Sequence, residues 1–284
     1  MIIRHFRSAI FDLKGKTAIS MHCTLMEVLN AHLKEFWIMS ANKDKVAIVT
    51  GASRGIGAAI ARRLASDGFT VIVNYAGNKN AAEKLVAEII HSGGHAVTHQ
   101  ADVSDAVAVK HMFESAESAF GGVDVLVNNA GIMKLASIKD GDNSVIDSQI
   151  AINLKGSIYT MREASERLGD GGRIVNFSTS VVGLKLENYG IYAATKAAVE
   201  TLTGILAKEL RGRNITVNAV APGPTATDLF LNGKSDELIE QLAKMNPLER
   251  LGTPEDIAAA VAFLVGEDGR WINGQVLRAN GGMI

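Results

Sequence analysis

The sequence has few of the residues that mark secreted, membrane-spanning and nucleic-acid-binding proteins. Its 284 residues include one cysteine, Cys23, which excludes an intrachain disulfide framework and indicates a reducing compartment. The net charge is −1, which gives no sign of a nucleic-acid partner. The apolar run over residues 257–265 is far shorter than the roughly 20 residues that span a bilayer. We therefore expect a cytoplasmic protein with neither a membrane nor a nucleic-acid partner.

The composition is that of a globular protein, with 47% hydrophobic residues, 28 glycines and four prolines. Residues 1–38 differ in character from the rest, and a compact start at Met39 leads directly into a strand-like run. We predict an N-terminal extension of uncertain status over residues 1–38 and a single domain over residues 39–284. The extension can be a helix packed on the domain, an organelle-targeting segment or sequence upstream of the true start, and the break at Met39 favours the last.

A strand, a glycine-rich turn and a helix follow one another at the start of the domain. The run Lys45–Thr50 is apolar and β-branched, the turn GASRGIG follows it, and an alanine-rich helix comes next. The first glycine, Gly51, permits a tight turn, while Gly55 and Gly57 let the backbone approach a diphosphate at the helix N-terminus. The spacing is G-x-x-x-G-x-G rather than G-x-G-x-x-G. Its position between a strand and a helix nevertheless indicates a dinucleotide site.

Strand-like and helix-like segments then alternate to the end of the chain. This alternation predicts a parallel sheet of the Rossmann type, doubly wound with seven strands and with helices on both faces. Ser104 is the predicted N-cap of the third helix, and one continuous helix is predicted over residues 143–168. Ligands of such sheets bind beyond the carboxyl ends of the strands. The predicted strands lie in residues 45–50, 70–75, 95–103, 124–131 (a strand followed by a turn), 172–179, 214–223 and 274–282.

A phenol and an ammonium group are spaced for one face of a helix at Tyr192 and Lys196. A nearby cation lowers the pKa of a phenol, and one lysine about 4 Å away supplies roughly the 4 kcal/mol needed to bring it from about 10 to about 7. The pair is therefore a candidate acid/base that exchanges a proton with an oxygen. No nucleophile elbow is present, and the spacing of His91, His95 and His99 fits surface or core histidines better than a metal site.

From about residue 43 onward, the chain resembles the short-chain dehydrogenase/reductase family of the single-domain type. The segments that carry the resemblance, in order, are TGASRGIG, NNAG, Asn153, Ser180, YAATK and Pro222-Gly223. They are especially similar to those of 3-oxoacyl-carrier-protein reductases and related ketone reductases. The resemblance implies that Tyr192 exchanges the proton, and that Lys196 lowers its pKa and binds the nicotinamide ribose.

The same resemblance implies roles for other polar residues. Ser180 would bond the substrate oxygen, and Asn153 would hold a water in a relay from Lys196. We choose Ser180 over Ser178 because it precedes VVG, although its gap to Tyr192 is one residue short. The other residues expected at the cofactor are Gly51, Ser53, Arg54, Gly55, Ile56, Gly57, Asn74, Ala76, Asp102, Val103, Asn129, Ala130, Gly131, Tyr192, Lys196, Pro222, Gly223 and Thr225.

NADP(H) is favoured over NAD(H), because no acid follows the second strand and Arg54 suits a phosphate. An aspartate in place of Asn74 or Tyr75 is expected to shift the preference toward NADH. The leading hypothesis is a reductase of a ketone, including a 3-oxoacyl thioester, or the reverse oxidation of an alcohol. The alternatives are a non-catalytic NADP(H)-binding scaffold or sensor and an epimerase or dehydratase of the extended family. A homotetramer or homodimer is expected.

The segment over residues 225–248 is expected to form a mobile cover over the substrate. Its apolar residues Leu229, Phe230 and Leu231 fit either an apolar pocket or core packing.

Overall fold

The computed structural model describes residues 45–284, which form one compact unit. The extension predicted over residues 1–38 and the boundary at Met39 lie outside the described residues. Within residues 45–284, no helix combines the length and the apolar character needed to cross a membrane.

The unit is built on one sheet of seven parallel strands in the order β3-β2-β1-β4-β5-β6-β7. The chain builds outward from β1 to β3 and then returns to place β4 on the other side of β1, so the winding direction reverses between β1 and β4. The predicted doubly wound parallel sheet is confirmed. The strands are β1 (Val46–Val49), β2 (Thr70–Tyr75), β3 (His95–Gln100), β4 (Val123–Asn128), β5 (Leu168–Phe177), β6 (Thr216–Pro222) and β7 (Val276–Ala279).

Helices connect the strands and cover both faces of the sheet. They are α1 (Gly55–Ser66), α2 (Lys79–His91), α3 (Ala106–Phe120), α4 (Asn143–Gln149), a π-helical segment (Ile150–Lys155), α5 (Gly156–Arg167), α6 (Val181–Leu184), α7 (Gly190–Glu209), α8 (Asp228–Leu231), α9 (Asp236–Ala243), α10 (Pro254–Val265) and a 3-10 turn (Glu267–Gly269).

Two hydrophobic clusters, one on each face, hold these layers together. Strand side chains point alternately to opposite faces, so Ala47 and Val49 of β1 join one cluster while Val46 and Ile48 join the other. Helices α1, α2 and α10 pack on the first face, and α3, α5 and α7 pack on the second. The continuous apolar runs in the strands are thus explained by burial on both sides.

Two local predictions were wrong. The N-cap of α3 is Asp105, whose carboxylate accepts hydrogen bonds from the Val107 and Ala108 amides, whereas Ser104 donates its hydroxyl to Asp102. The predicted continuous helix over residues 143–168 is instead α4 and α5 joined by the π-helical segment Ile150–Lys155. π-Helical turns lie frequently at functional sites, because the extra residue redirects a side chain.

Candidate active site

Two clefts open at the carboxyl edge of the sheet and meet each other. The cofactor cleft lies over the ends of β1, β2 and β4. The catalytic cavity contains Tyr192 and Lys196. Both are lined by Asn129, Gly131 and Thr227, so a ligand in one can reach a ligand in the other.

Most of the residues predicted to bind the cofactor do come together. The cofactor cleft is lined by Gly51, Ser53, Arg54, Gly55, Ile56, Gly57, Asn74, Ala76, Asp102, Val103, Asn129, Ala130 and Gly131. The catalytic cavity is lined by the remaining ones, namely Tyr192, Lys196, Pro222, Gly223 and Thr225.

The glycine turn is shaped by close backbone contacts. Gly51 has a φ of +61°, and a Cβ there would lie 2.9 Å from the Ala130 Cα atom. A Cβ at Gly57 would lie 2.5 Å from the Asn129 Nδ2 atom, which donates to the Thr50 and Gly51 carbonyls at 2.9 and 3.1 Å. Contacts within the protein therefore require a glycine at position 57, independently of any bound ligand. The N-cap Arg54 makes no side-chain bond to the first turn of α1. This open helix start fits the diphosphate of a dinucleotide.

Asn74 stabilises the glycine turn through hydrogen bonds of its side-chain amide. Its Oδ1 accepts from the Gly51 amide at 3.2 Å, and its Nδ2 donates to the His99 and Ala101 carbonyls at 3.3 and 3.0 Å. The side chain is 1% exposed. An aspartate here would keep the acceptor but lose the donor, and Tyr75 belongs to the core. The two positions expected to accept a ribose-binding aspartate are therefore structural, and the exposed Ala76 is the first open position of this stretch.

Lys196 and Tyr192 share one face of α7, as predicted. Lys196 is 4% exposed, and its Nζ atom donates to the Phe177 carbonyl at 2.8 Å. Burial lowers the pKa of Lys196 to about 8. Because removing charge from water favours the neutral amine, the lysine loses its proton more easily than in solution.

The expected lowering of the Tyr192 pKa is wrong for this structure. Burial raises the pKa of Tyr192 to about 12, and the hydrogen bond with the Thr179 hydroxyl opposes this rise only in part. The cost of burying a phenolate, and not the attraction of one cation, dominates the pKa of this group. The Lys196 ammonium is also directed at a carbonyl oxygen. In this environment the Tyr192 phenol is a weaker acid than in water, because the phenolate is the form that burial disfavours.

The hydroxyl beside Tyr192 belongs to Thr179, which the sequence analysis missed. The Ser180 hydroxyl instead faces Asn280, whose amide donates to it at 3.0 Å, and donates to the Ala221 carbonyl at 3.4 Å. Ser178 donates to the Glu200 carboxylate at 2.6 Å. Ser180 lines the catalytic cavity together with Thr179 and Tyr192, so its role at the substrate oxygen stays a prediction, with Thr179 as a second candidate. The gap between Ser180 and Tyr192 is one residue short, and a gap of the full length would place the hydroxyl at Thr179. This short gap was the signal in the sequence that pointed to Thr179.

Asn153 lies in the π-helical segment and faces the same site. Its Oδ1 accepts from the Ile132 amide at 2.8 Å and its Nδ2 donates to the Ile132 carbonyl at 2.9 Å, so it clasps the loop after β4. A Cβ placed on Gly131 would lie 3.3 Å from the Asn153 Oδ1 and 3.5 Å from the Lys196 Nζ. The amide and the ammonium thus flank one open point at the junction of the clefts.

The segment predicted to cover the substrate does line the catalytic cavity. Leu229 and Phe230 belong to α8, Leu242 belongs to α9, and Met245 follows it. Leu229 is 50% exposed. Its exposure decides in favour of a pocket wall over core packing at this position.

The end of the chain forms another part of the wall, which the sequence analysis did not identify. Met283 lines the cavity, and the side chain of Asn280 holds it there by accepting from its amide at 3.2 Å. A Cβ on Gly223 would lie 2.9 Å from the Asn280 Cα atom.

Among residues 45–284, no His, Cys, Asp and Glu side chains form a group of three that could hold a metal ion.

Known proteins resemble this chain over most of its length. A family model described as enoyl-(acyl carrier protein) reductase matches residues 51–284. A short-chain type dehydrogenase/reductase of Picea abies is 47% identical, over 84% of this chain and 92% of that protein. An NADPH-dependent aldehyde reductase-like chloroplastic protein of Arabidopsis thaliana is 44% identical, over 84% and 94%. The crystal structure of a short chain dehydrogenase from Burkholderia cenocepacia in complex with NADP is 41% identical with a TM-score of 0.80, over 84% of this chain and 97% of that one.

Proposed function

This chain belongs to the short-chain dehydrogenase/reductase family, and from that premise we propose that it reduces a ketone to a secondary alcohol with NADPH, or runs the reverse reaction. The observation that carries the proposal is the placement of the Tyr192 phenol, the Lys196 amine and the Thr179 hydroxyl in one cavity that is continuous with a dinucleotide cleft. Phenol and hydroxyl are the groups that a carbonyl oxygen needs when it becomes an alcohol.

The proposed cofactor is NADP(H). Its diphosphate would lie at the glycine turn and at the start of α1, and Arg54 would face the 2′-phosphate. The end of β2 carries Asn74, Tyr75 and Ala76 and no carboxylate that would repel this phosphate. When bound, NADPH supplies the hydride. The related structure in complex with NADP supports the choice.

Each residue of the site has a distinct proposed role. Tyr192 donates its proton to the carbonyl oxygen as the carbonyl carbon is reduced, and Thr179 hydrogen-bonds the same oxygen. Lys196 holds positive charge next to the developing phenolate and restores the proton. Asn153 keeps the loop at Ile132 in place and flanks the point through which that proton can return. Ser180, which lines the same cavity, is the other candidate for the hydrogen bond to the carbonyl oxygen.

A screen of carbonyl compounds with NADPH and NADH, following cofactor absorbance, tests the function. We expect turnover with NADPH and at least one ketone. Tyr192→Phe should abolish it while NADPH binding stays almost intact, because the ring remains and only the transferable proton is lost. Binding without turnover of any ketone would favour the scaffold or sensor. Reduction only of the carbon–carbon double bond of an enoyl thioester would overturn the assignment to carbonyls, and a 3-oxoacyl thioester belongs in the same panel.

A homodimer or homotetramer is proposed for the assembly. The outer faces of α5 and α7 carry exposed apolar residues, Ile158 at 38% and Ile205 at 47%. Next to Ile205, a Cβ on Gly204 would meet nothing within 4 Å, so the helix surface is flat enough for a second helix to approach. We expect native mass measurements to give a dimer or tetramer, and Ile205→Glu to reduce that mass. A monomer at micromolar concentration would refute the proposal.

The cytoplasm is the proposed compartment. Fluorescent fusions of the whole chain and of residues 39–284 test it. Cytoplasmic signal from both is expected. Organelle import that depends on residues 1–38 would overturn it.

A further inference from the structure

The walls of the catalytic cavity carry almost no charge. Among residues 45–284, Lys196 is the one side chain lining the cavity that carries a full charge, and its Nζ donates to the Phe177 carbonyl. The cavity therefore offers neither a guanidinium for a carboxylate or phosphate nor a carboxylate for an amine. A charged group carried into it would lose water and gain no partner, which is strongly unfavourable.

The walls are instead apolar, aromatic and adaptable. Leucines 184, 186, 229 and 242 contribute branched surface, and Tyr189 and Phe230 contribute aromatic rings. Methionines 133, 245 and 283 reach the cavity from three separate parts of the chain. Methionine side chains adapt to irregular shapes, and their sulfur atoms make favourable contacts with aromatic rings.

Several of these side chains are exposed although they are apolar. Leu229 is 50% exposed and Met245 is 46% exposed, and neither α8 nor α9 has a buried residue. Apolar surface that no protein partner covers gains free energy when an apolar ligand covers it. The apolar side chains line the cavity from several separate segments of the chain, so a bulky apolar ligand covers more of them than a small aliphatic ketone does.

We propose that the cavity is built for a bulky, uncharged aryl ketone, held by apolar and methionine–aromatic contacts and without a charged anchor. This inference rests on the proposed carbonyl reduction. It goes further by assigning the class of substrate. A fused-ring ketone is expected to be a better substrate than a linear 3-oxoacyl thioester.

A matched pair of ketones tests the charge argument. With NADPH, 2-acetylnaphthalene should be reduced with a kcat/KM at least roughly tenfold above that of its carboxylate analogue 6-acetyl-2-naphthoate, because the carboxylate finds no charged partner. Butanone and a 3-oxoacyl thioester complete the panel. Preference for the carboxylate, for butanone or for the thioester would overturn the proposal. Failure of every carbonyl compound would instead overturn the proposed function.

Variants of the wall test the location. Leu229→Asp and Met245→Asp should raise the KM for 2-acetylnaphthalene by roughly tenfold or more, since a charge replaces a contact. Leu248→Asp is the matched control, because Leu248 is 62% exposed and lies outside the cavity lining. Leu229→Lys should improve use of the carboxylate analogue relative to the parent. Equal effects of all three aspartates, or no gain with the lysine, would overturn the assignment of these walls.

Discussion

The side-chain amide of Asn280 donates a hydrogen bond of 3.0 Å to the hydroxyl of Ser180. The same side chain accepts from the amides of Gly282 and Met283 at 3.0 and 3.2 Å. Both Asn280 and Ser180 are buried, at 8% and 2% exposure. One residue therefore joins the loop that carries Thr179 to the wall that carries Met283.

Loss of Asn280 should weaken substrate binding more than the chemical step. Asn280→Ala removes three hydrogen bonds, so Met283 is no longer held against the cavity, and we expect KM to rise roughly tenfold with a smaller change in kcat. Asn280→Asp keeps the acceptor for Gly282 and Met283 and should lie nearer the parent. Steady-state kinetics with a ketone, together with NADPH binding, measure the effect. An equal loss of NADPH affinity would indicate general disruption of the site.

Thr179 and Ser180 should differ sharply when each loses its hydroxyl. Thr179→Val removes the hydroxyl beside the Tyr192 phenol, and kcat should fall roughly 10²-fold, as when one oxyanion donor is lost. Thr179→Ser should retain most activity. Ser180→Ala leaves the phenol and its partner in place and should cost far less. If Ser180→Ala is the more damaging change in kcat, the original interpretation of Ser180 is right.

The buried Lys196 should make stability depend on pH in a defined direction. Its pKa is about 8 when folded and 10.5 when free, so between these values the unfolded chain holds a proton that the folded chain has released. Stability from this group therefore rises as pH increases from about 8 to about 10.5, and below pH 8 the folded chain carries the cost of the buried charge.

The variant Lys196→Met removes the charge and keeps a side chain of similar length. It should be more stable than the parent at pH 7, by about 3 kcal/mol at most. Denaturant unfolding at a series of pH values measures the difference. The gap should narrow toward pH 10.5. A gap that is constant across this range would mean that Lys196 is charged in the folded protein at every pH examined.

Arg54 should discriminate between the two nicotinamide cofactors. It is exposed at the start of α1 and lines the cofactor cleft. A charge-assisted hydrogen bond to a phosphate is worth about 1.5–3 kcal/mol, so Arg54→Ala should weaken NADPH roughly tenfold to a hundredfold and leave NADH nearly unchanged. Lys79→Ala is the control, since Lys79 pairs with Glu83 at 3.6 Å outside the cleft lining. The ratio of kcat/KM for the two cofactors measures the effect. Equal shifts for both cofactors would mean that Arg54 does not bind the 2′-phosphate.

Ala76→Asp is the complementary change in the opposite direction. Ala76 is exposed at the end of β2 and lines the cofactor cleft. A carboxylate there would repel a 2′-phosphate and can accept a hydrogen bond from a ribose hydroxyl, so the preference should move toward NADH. Asn74→Asp should instead destabilise the protein, because it removes the donor to the His99 and Ala101 carbonyls. A cofactor switch from Asn74→Asp without loss of stability would contradict the structural role of Asn74.

The strands and the glycine turn could be predicted because their signals are local. The apolar runs at β1 and β2 and the glycines of the turn need only neighbouring residues. The relation of Ser180 to Asn280 could not be predicted in this way, since it joins residues 100 positions apart. Nor could the pKa of Tyr192, which depends on burial by several separate segments. Ser104 and Asp105 are both good N-caps, and only the backbone decides between them.

The π-helical segment Ile150–Lys155 makes the length of this part of the chain intolerant of change. Within it, Asn153 is directed at the catalytic site, and after it α5 turns Met161 and Ala164 into the core. Deleting one residue would restore a regular helix and rotate one half against the other by about 100°. Either Asn153 would leave the site or the core face of α5 would turn to solvent. Substitutions along this helix keep both faces in place, whereas deletion of a single residue would disrupt either the catalytic site or the packing of α5.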